Sequence, residues 1–355
     1  MSLYTVIGVM SGTSMDGIDI VYATYEFSEN ELCNHVVQHS KTYEYSTYLL
    51  ENLKISTELS PSELLILDKI LGIYYSERII NFINEFDINP SKIDAIASHG
   101  HTIFHQPEKG FTYQIGCGET IAFKTGIKVI NDFRQKDVVA GGQGAPLVPI
   151  GDKLLYSSLA DAFLNIGGFC NISIPSDTTV AFDISPGNLP LNKIATELDK
   201  TYDSSGLIAR SGSIDKVILN ELNEIDYYSN PPPKSLGTEW VKANFTPVVS
   251  RINNPKDRMC TVVEHLAEQI SRTCIKNSIK SLYITGGGAY NDFLIERIKE
   301  KSKLQIIIPD AVEIEFKEAI IFGLLGALFL EGKPNTLSSV TGASRDVIGG
   351  VLHLP

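Results

Sequence analysis

The stretch from Val6 to Asp19, Val-Ile-Gly-Val-Met-Ser-Gly-Thr-Ser-Met-Asp-Gly-Ile-Asp, constrains the fold more than any other part of the chain. An apolar β-type run from Tyr4 to Met10 breaks into small and polar residues, and an alternating run from Ile18 to Tyr25 resumes the strand pattern. This predicts strand, polar loop, strand. Gly12 and Gly17 let the backbone adopt positive φ or approach a ligand closely, while Thr13 and Ser14 add hydroxyls and successive N–H groups able to cradle an anion. Asp16 supplies a carboxylate suited to Mg²⁺ or its waters beside phosphate oxygens. Turn chemistry alone would place the same residue types in an ordinary long hairpin. The loop is not a Walker loop, because it lacks Gly-Lys-Ser/Thr and no helix pattern follows it.

At 355 residues the chain is long for a single core, so two domains sharing a cleft are expected. A composition of 43% hydrophobic and 20% charged residues fits an ordinary soluble globular protein. The net charge of −12 opposes non-specific binding to nucleic acid or an anionic membrane, since either polyanion would repel the chain. The start Met-Ser-Leu-Tyr-Thr has no basic region, so no signal peptide is expected. The apolar stretch Ala319 to Leu330 falls short of the roughly 20 residues a bilayer needs, which predicts a buried helix. Cys33, Cys117, Cys170, Cys260 and Cys274 form no Cys-x-x-Cys pair and fit reduced thiols in a cytoplasmic protein.

Ser60-Pro61-Ser62-Glu63 is a helix start, with serine at the N-cap, proline at the first helical position and glutamate at the third. Leu64, Leu67, Leu71 and Tyr75 then share a face, predicting an amphipathic helix to about Phe86. Ile93 to Ala97 reads as a short buried strand delivering Ser98-His99-Gly100-His101-Thr102-Ile103-Phe104-His105 at its carboxyl end, where ligand loops gather in α/β sheets. Three closely spaced histidines suggest a metal, but no carboxylate or cysteine lies at ligand spacing, so hydrogen bonding or a structural role is favoured. Thr112–Cys117 and Lys128–Phe133 read as strands around a short helix from Glu119 closed by Gly126. The second of these strands ends in Asn131-Asp132-Phe133-Arg134, whose spacing alone fits a surface ion pair between Asp132 and Arg134. The glycines of Ala140 to Pro149 suit a passage between domains.

The second half echoes the first. Ala162 to Ile166 reads as a strand entering Gly167-Gly168, with Asn171 to Ile174 returning. Thr179 to Phe182 is a strand running into Asp183-Ile184-Ser185-Pro186-Gly187-Asn188, followed by a helical pattern from about Leu191. A carboxylate at that strand end is either a desolvated general base or a turn and N-cap aspartate, and spacing does not separate the two. Met259 to Ile275 is an amphipathic helix, and Ser281 to Thr285 a buried strand ending in Gly286-Gly287-Gly288-Ala289-Tyr290-Asn291 before a helix from about Asp292. That order permits close backbone approach to a nucleotide and sets a helix N-terminus near phosphate. Lys317-Glu318-Ala319 opens the last helix, where Glu318 also suits a first-turn position.

Taken together these motifs resemble, in order and over essentially the whole chain, the anhydro-N-acetylmuramic acid kinases of the sugar kinase, Hsp70 and actin superfamily. Met-Ser-Gly-Thr-Ser-Met-Asp-Gly resembles the family's opening signature, Asn131-Asp132-Phe133-Arg134 its sugar-contacting Asp-Phe-Arg, and Phe182-Asp183 its catalytic motif. The chain departs from the family at His101, where glutamine is usual, at Ile184-Ser185 in place of Thr-Gly, at Asn192 in place of aspartate, and at Thr238 in place of arginine.

The resemblance implies an α/β fold, an actin-like (ribonuclease H-like) two-domain ATPase with a cleft. Residues 1–135 plus 315–355 would form the domain of the first phosphate hairpin, and 136–314 the domain of the second phosphate loop, the catalytic aspartate and the adenosine motif. It implies ATP at Gly12, Thr13, Ser14, Asp16, Gly17, Gly167, Gly168, Gly286, Gly287, Gly288 and Asn291, with Mg²⁺ at Asp16. Sugar contacts would come from Ser98, His99, Thr102, Asp132, Arg134 and Glu318, with Asp183 as catalytic base. The implied protein is a cytoplasmic homodimer that opens 1,6-anhydro-N-acetylmuramic acid with water and phosphorylates O6. A kinase for another anhydro sugar or a hexose, a chaperone-like ATPase and a non-catalytic nucleotide binder are the alternatives.

Overall fold

The opening apolar run forms β1 (Ser2–Met10), which pairs antiparallel with β2 (Ile18–Ser28), and β2 pairs antiparallel with β3 (Glu31–Tyr43). Met10 lies opposite Asp19, so the polar stretch between them is the connection that the pattern predicts. The structure, a computed structural model, describes every residue except Thr13, Ser14, Asp16 and Asn30. Beside β1 on its other edge runs β4 (Ala95–Ser98), parallel to it. Next to these a separate two-stranded sheet is made by β5 (His101–Gln106) and β6 (Phe111–Ile115). Outside β4 come the parallel β7 (Val129–Asn131) and, antiparallel to it, the last strand, β13 (Val351–His353). The sheet order is therefore β13-β7-β4-β1-β2-β3.

Both faces of the central strands of this sheet are buried, and period-two alternation assigns each of their residues to one face. Ile7 and Val9 face the core completed by the helix Pro61–Glu85, while Val6 and Met10 face the core completed by the helix Ala311–Leu330. The first helix starts as its residues require: Ser60 N–H donates to Glu63 Oε2 at 2.9 Å and Glu63 N–H returns to Ser60 Oγ at 3.4 Å. The apolar stretch at Ala319 to Leu330 is a buried helix, and among the described residues no helix is long and apolar enough to cross a membrane. This helix lies against β1 with backbone-to-backbone proximity. A Cβ added to Gly8 would sit 2.1 Å from Ala319 O, and one added to Gly326 would sit 2.7 Å from Ala97 Cβ.

The second sheet has β8 (Ala162–Ile166) antiparallel to β9 (Phe169–Ile174), β9 antiparallel to β10 (Val180–Pro186), and β11 (Ser281–Thr285) and β12 (Gln305–Ile307) parallel on the far side of β8. Its order, β10-β9-β8-β11-β12, repeats β3-β2-β1-β4-β7: a three-strand antiparallel meander whose first strand is flanked by two parallel strands. The echo between the halves is thus a repeat of topology, of the ribonuclease H-like kind that the resemblance implies. The helix Pro255–Lys276 fills the core against this sheet, longer at both ends than its apolar periodicity indicated because Asn254 caps it and Pro255 opens it.

Contacts divide the chain into Met1–Leu155 with Phe316–Pro355, and Tyr156–Glu315. The glycine-rich stretch 140–149 lies inside the first of these units. Asp137, fully buried, accepts Gly144 N–H at 2.8 Å and the Thr341 hydroxyl at 2.7 Å, so the stretch is pinned at a carboxylate. We expect Gly8→Ala to cost about 1–3 kcal/mol, because the added methyl meets backbone that a side-chain rotation cannot clear. Gly168→Ala, with nothing within 4 Å of its new methyl, serves as the control. Urea unfolding of both variants checks this, and equal midpoints would contradict it.

Candidate active site

In the Tyr156–Glu315 unit three glycine turns come together at one end of the sheet. The first is Gly167-Gly168, joining β8 to β9, with Gly167 N–H bonded to Phe169 O at 3.1 Å. The second is the step from β10 into the helix Asn188–Thr196, where Gly187 N–H donates to Gly168 O and Asn188 N–H to Gly167 O, each at 2.8 Å. A Cβ on Gly187 would lie 2.5 Å from Gly167 O, so this junction requires glycine. The third is Gly286 to Gly288 after β11. Gly286 has φ +79, and a Cβ there would lie 2.5 Å from Asn165 Oδ1; one on Gly288 would lie 2.1 Å from Ile166 Cγ2. These two glycines are consumed in packing against β8. At Gly287 the nearest atom to an added Cβ is Asn188 Nδ2 at 3.8 Å, and at Gly168 there is none within 4 Å.

The sequence placed a helix from about Asp292, and the helix is there. A 3₁₀ turn, Gly287–Tyr290, leads into it, and the helix Asp292–Ser302 has Asn291 as its N-cap, Oδ1 accepting Leu294 N–H at 3.0 Å. The Asn291 side chain is therefore committed to capping. It still lines, with Asn188, Asn192, Asp203, Ser204 and Gly287, a cavity of about 370 Å³ beside the turns. An opening of this size, with Leu191 and Tyr202 beside polar side chains and the backbone of Gly287, has room for a nucleoside.

Asp183 sits on β10 in the same unit, at a bulge where the pairing with β9 shifts between Asp183 and Ser185. Its main chain is held on both sides: the N–H donates to Lys234 O at 3.2 Å and the carbonyl accepts the Tyr227 hydroxyl at 2.7 Å. Its Oδ2 accepts Leu236 N–H at 2.8 Å. Burial raises the Asp183 carboxyl above its usual range, and the Leu236 N–H opposes that rise. The carboxylate is not spent as an N-cap, since the helix that follows begins at Asn188 with Gly187 before it and no side-chain cap. Tyr227 and the strap 231–236 were not legible as partners of Asp183, because they are some fifty residues away and carry no strand pattern. The only signal was the proline cluster that opens the strap.

The Met1–Leu155 and Phe316–Pro355 unit gathers a second set. His99 N–H bonds to Val9 O at 2.9 Å, tying the end of β4 to β1. Its Nδ1 donates to Gly100 O at 2.8 Å and its Nε2 accepts from Arg134 Nε at 3.0 Å, a tautomer that requires a neutral ring. Burial, then the Arg134 charge, holds His99 well below its usual pKa. Arg134 also donates to Gly144 O at 2.8 Å, and burial lowers it to about 10 against the opposing pull of Glu318. Glu318 is open to solvent, yet desolvation by the surrounding protein raises its carboxyl, with Arg134 and Lys317 pulling the other way. Its exposure is what decides whether a ligand can reach it. Phe322, one turn further along that helix, lies 4.7 Å from the His99 ring.

The remaining residues expected here have surroundings of their own. Asp132, at φ +54, has its carboxyl raised by burial and accepts a backbone N–H from Gln135. With Arg134 engaged by His99 and Gly144, the ion pair that spacing alone allowed between Asp132 and Arg134 does not form among the described residues. Thr102 Oγ1 accepts from Gln114 Nε2 at 3.3 Å. Ser98 is fully buried, and its hydroxyl has no partner among the described residues, so it lies beneath the surface a ligand would touch. Of the first hairpin, Thr13, Ser14 and Asp16 lie outside the described residues. Gly17 is confined, since a Cβ would lie 2.6 Å from Tyr43 O, and Gly12 O accepts Met15 N–H at 3.3 Å.

His101 does something the sequence did not indicate. It is buried, and its Nδ1 pairs with Ser11 Oγ at 3.0 Å; Ser11 Oγ pairs with Tyr45 OH at 2.6 Å, and Tyr45 OH with Tyr75 OH at 3.3 Å. The chain fixes the residue from which the first glycine loop departs. His105 Nδ1 lies 3.2 Å from Thr112 Oγ1, so the three histidines point to three different partners.

A profile of the anhydro-N-acetylmuramic acid kinase family matches residues 4–355. The chain belongs to this family. It is 35% identical over 373 residues to the anhydro-N-acetylmuramic acid kinase of Francisella tularensis subsp. novicida (strain U112), covering 98% of each chain. It is 35% identical over 376 residues to that of Aliivibrio fischeri (strain ATCC 700601 / ES114), again covering 98% of each. It is also similar to the solved activator of the 2-hydroxyisocaproyl-CoA dehydratase from Clostridium difficile with bound ADPNP, at 11% identity and a TM-score of 0.44, covering 90% of this chain and 93% of that one.

Tyr45→Phe removes the middle of the buried hydroxyl chain and leaves the Ser11 and Tyr75 hydroxyls short of a partner. We expect a loss of about 1–3 kcal/mol in unfolding free energy. Denaturant titration checks it, and a wild-type midpoint would contradict the role given to this chain.

Proposed function

We propose that this member of the family is an ATP-dependent kinase that hydrolytically opens 1,6-anhydro-N-acetylmuramic acid and phosphorylates O6, giving N-acetylmuramate 6-phosphate and ADP. The observation that carries the reading is Asp183, a half-buried carboxylate with a raised pKa, one oxygen held by Leu236 N–H, on the strand that leads into the glycine turns. In the proposed reaction Asp183 takes a proton from water as that water attacks the anomeric carbon. The bond from this carbon to O6 breaks, and O6 forms its new bond to the γ-phosphorus while ADP leaves. The captured proton passes to solvent.

The Tyr156–Glu315 unit would supply the nucleotide contacts, through Gly167, Gly168 and Gly287, and the base. Gly286, Gly288 and Asn291 support that surface from behind. The other unit would supply the sugar contacts, with Arg134 donating to sugar oxygens and with Glu318 and Asp132 accepting from hydroxyls or the N-acetyl N–H. His99, neutral and clamped, orients Arg134. Mg²⁺ held by Asp16 would neutralise phosphate charge during transfer, which is the chemistry such an ion supplies. The reading includes the first hairpin residues Gly12, Thr13, Ser14 and Gly17 at the phosphates, a homodimer, and a place in cytoplasmic recycling of cell-wall sugars. His101, where the family's glutamine is usual, pairs with Ser11.

Purified protein with Mg-ATP is expected to release ADP with 1,6-anhydro-N-acetylmuramic acid and not with glucose. Asp183→Asn is expected to abolish turnover while nucleotide still binds. Because burial disfavours the ionised carboxylate, Asp183→Asn should unfold no earlier than wild type at pH 7, which separates lost chemistry from lost fold. Turnover with glucose alone would move the assignment to a hexose kinase.

The acid limb of the rate profile follows from the same carboxyl. Asp183 must be ionised to act, so activity should fall at a pH above the ordinary aspartate value of 3.8. Leu236→Pro deletes the N–H that favours the ionised form, and the limb should move to higher pH. An unmoved limb in that variant would remove Asp183 as the titrating group.

A further inference from the structure

A second cavity in the Tyr156–Glu315 unit, of about 290 Å³, shares no lining residue with the one beside the glycine turns. It lies between the helix Pro255–Lys276, the segment from Asn223 to Lys234 and the outer strand β10. Its floor is rigid. His265, fully buried, is held by Asn223 Oδ1 at 2.8 Å and the Tyr228 hydroxyl at 2.9 Å, and Gln269 Nε2 donates to the same Asn223 Oδ1 at 2.8 Å. Burial lowers the His265 ring to about 3, so this floor brings no charge of its own.

The charge comes from the rim. Lys234, Arg272 and Lys276 line the cavity against one carboxylate, Glu224, in a protein whose net charge is −12. Glu268, the carboxylate paired with Arg272, is shared: it accepts from Asn223 at 2.6 Å and pairs with Lys301 at 3.2 Å as well as with Arg272 at 3.4 Å. Burial, and then the charge of Lys276, lowers the Lys234 pKa. The cationic excess excludes a metal ion as the occupant. Phe182 and Tyr228 in the wall, together with the Asn230 and Asn277 amides, suit a hydroxylated ring better than a bare ion. The volume of about 290 Å³ falls just under the range of small-molecule sites, roughly 300–1,000 Å³, so the occupant is small.

We propose that this cavity binds a small organic phosphate of monosaccharide size, with Lys234, Arg272 and Lys276 on the phosphate and the aromatic wall against the ring. The site adjoins the chemistry through the strap. Lys234 Nζ donates to Tyr227 O at 3.0 Å, Lys234 O accepts Asp183 N–H, and Leu236 two residues on holds the Asp183 carboxylate. A ligand that engages the Lys234 ammonium therefore acts on the segment that positions Asp183.

The test is equilibrium binding by calorimetry with the full chain and no ATP, so it is independent of whether the proposed reaction occurs. The probes are glucose 6-phosphate, inorganic phosphate and glucose. Arg272 and Lys276 are exposed, so the double variant Arg272→Ala, Lys276→Ala is expected to keep its fold, which its unfolding midpoint verifies. The expected result is that glucose 6-phosphate binds wild type and Asp183→Asn alike, binds the double variant roughly tenfold more weakly, and is not replaced by glucose. Equal affinity in the double variant, or no binding of glucose 6-phosphate to wild type, overturns the site. Inorganic phosphate binding as tightly as glucose 6-phosphate overturns the sugar-sized ligand.

Discussion

Backbone contact without intervening side chains, at one end of the Tyr156–Glu315 sheet, is the constraint on which the candidate site depends. Gly286 and Gly288 have to lie directly on β8, and Gly187 has to lie directly on the Gly167-Gly168 turn, where a single methyl would overlap main-chain atoms or a β-branched side chain. Once those contacts are made, Gly168 and Gly287 remain as open backbone, and the helix that starts at Asn188 is held by the turn carbonyls. The site is shaped by what is absent from these positions. That is why glycine motifs so far apart in the chain belong to one surface.

Asp183 depends on the same end of the sheet but on different contacts. The bulge in β10 interrupts the alternation after Asp183, which lets Ile184 be buried in the core and Ser185 pair opposite Cys170. Both departures from the family's Thr-Gly at these positions are thus buried beside the sheet, while the carboxylate keeps its exposure and its Leu236 N–H. The strap 231–236 holds Asp183 through Lys234 O and Leu236 N–H, and the Leu236 bond opposes the rise that burial causes. The ionisation of this carboxyl is set by two opposing influences, desolvation and one donated hydrogen bond.

Much of the fold was legible because apolar periodicity and punctuation agree along this chain. The capping box at Ser60, the buried run at Ala319 to Leu330 and the strand entering Gly167 all fold as their residues dictate. The strand β3 was not legible: Glu31 to Tyr43 is polar and half exposed, and it exists because β2 offers it a ladder. The length of the helix Pro255–Lys276 was underestimated because its first turn carries charge and is set by a cap. In the site, residue types pointed to the right elements but not to the partners. Nothing in Ser98-His99-Gly100-His101 says that one histidine holds an arginine and the other holds the serine before the first glycine loop. Those assignments come from pairings between distant segments, which no local pattern encodes.

The claim that the glycine turns form the nucleotide surface is tested most directly by backbone amide NMR of the full-length protein, with and without a non-hydrolysable ATP analogue and magnesium. The account predicts the largest shifts at Gly168, Gly287 and Asn192, with smaller ones at Gly286 and Gly288, whose packing against β8 keeps them behind the surface. Large shifts confined to the Lys276 and Asn277 cavity, with the glycine turns unmoved, would contradict it.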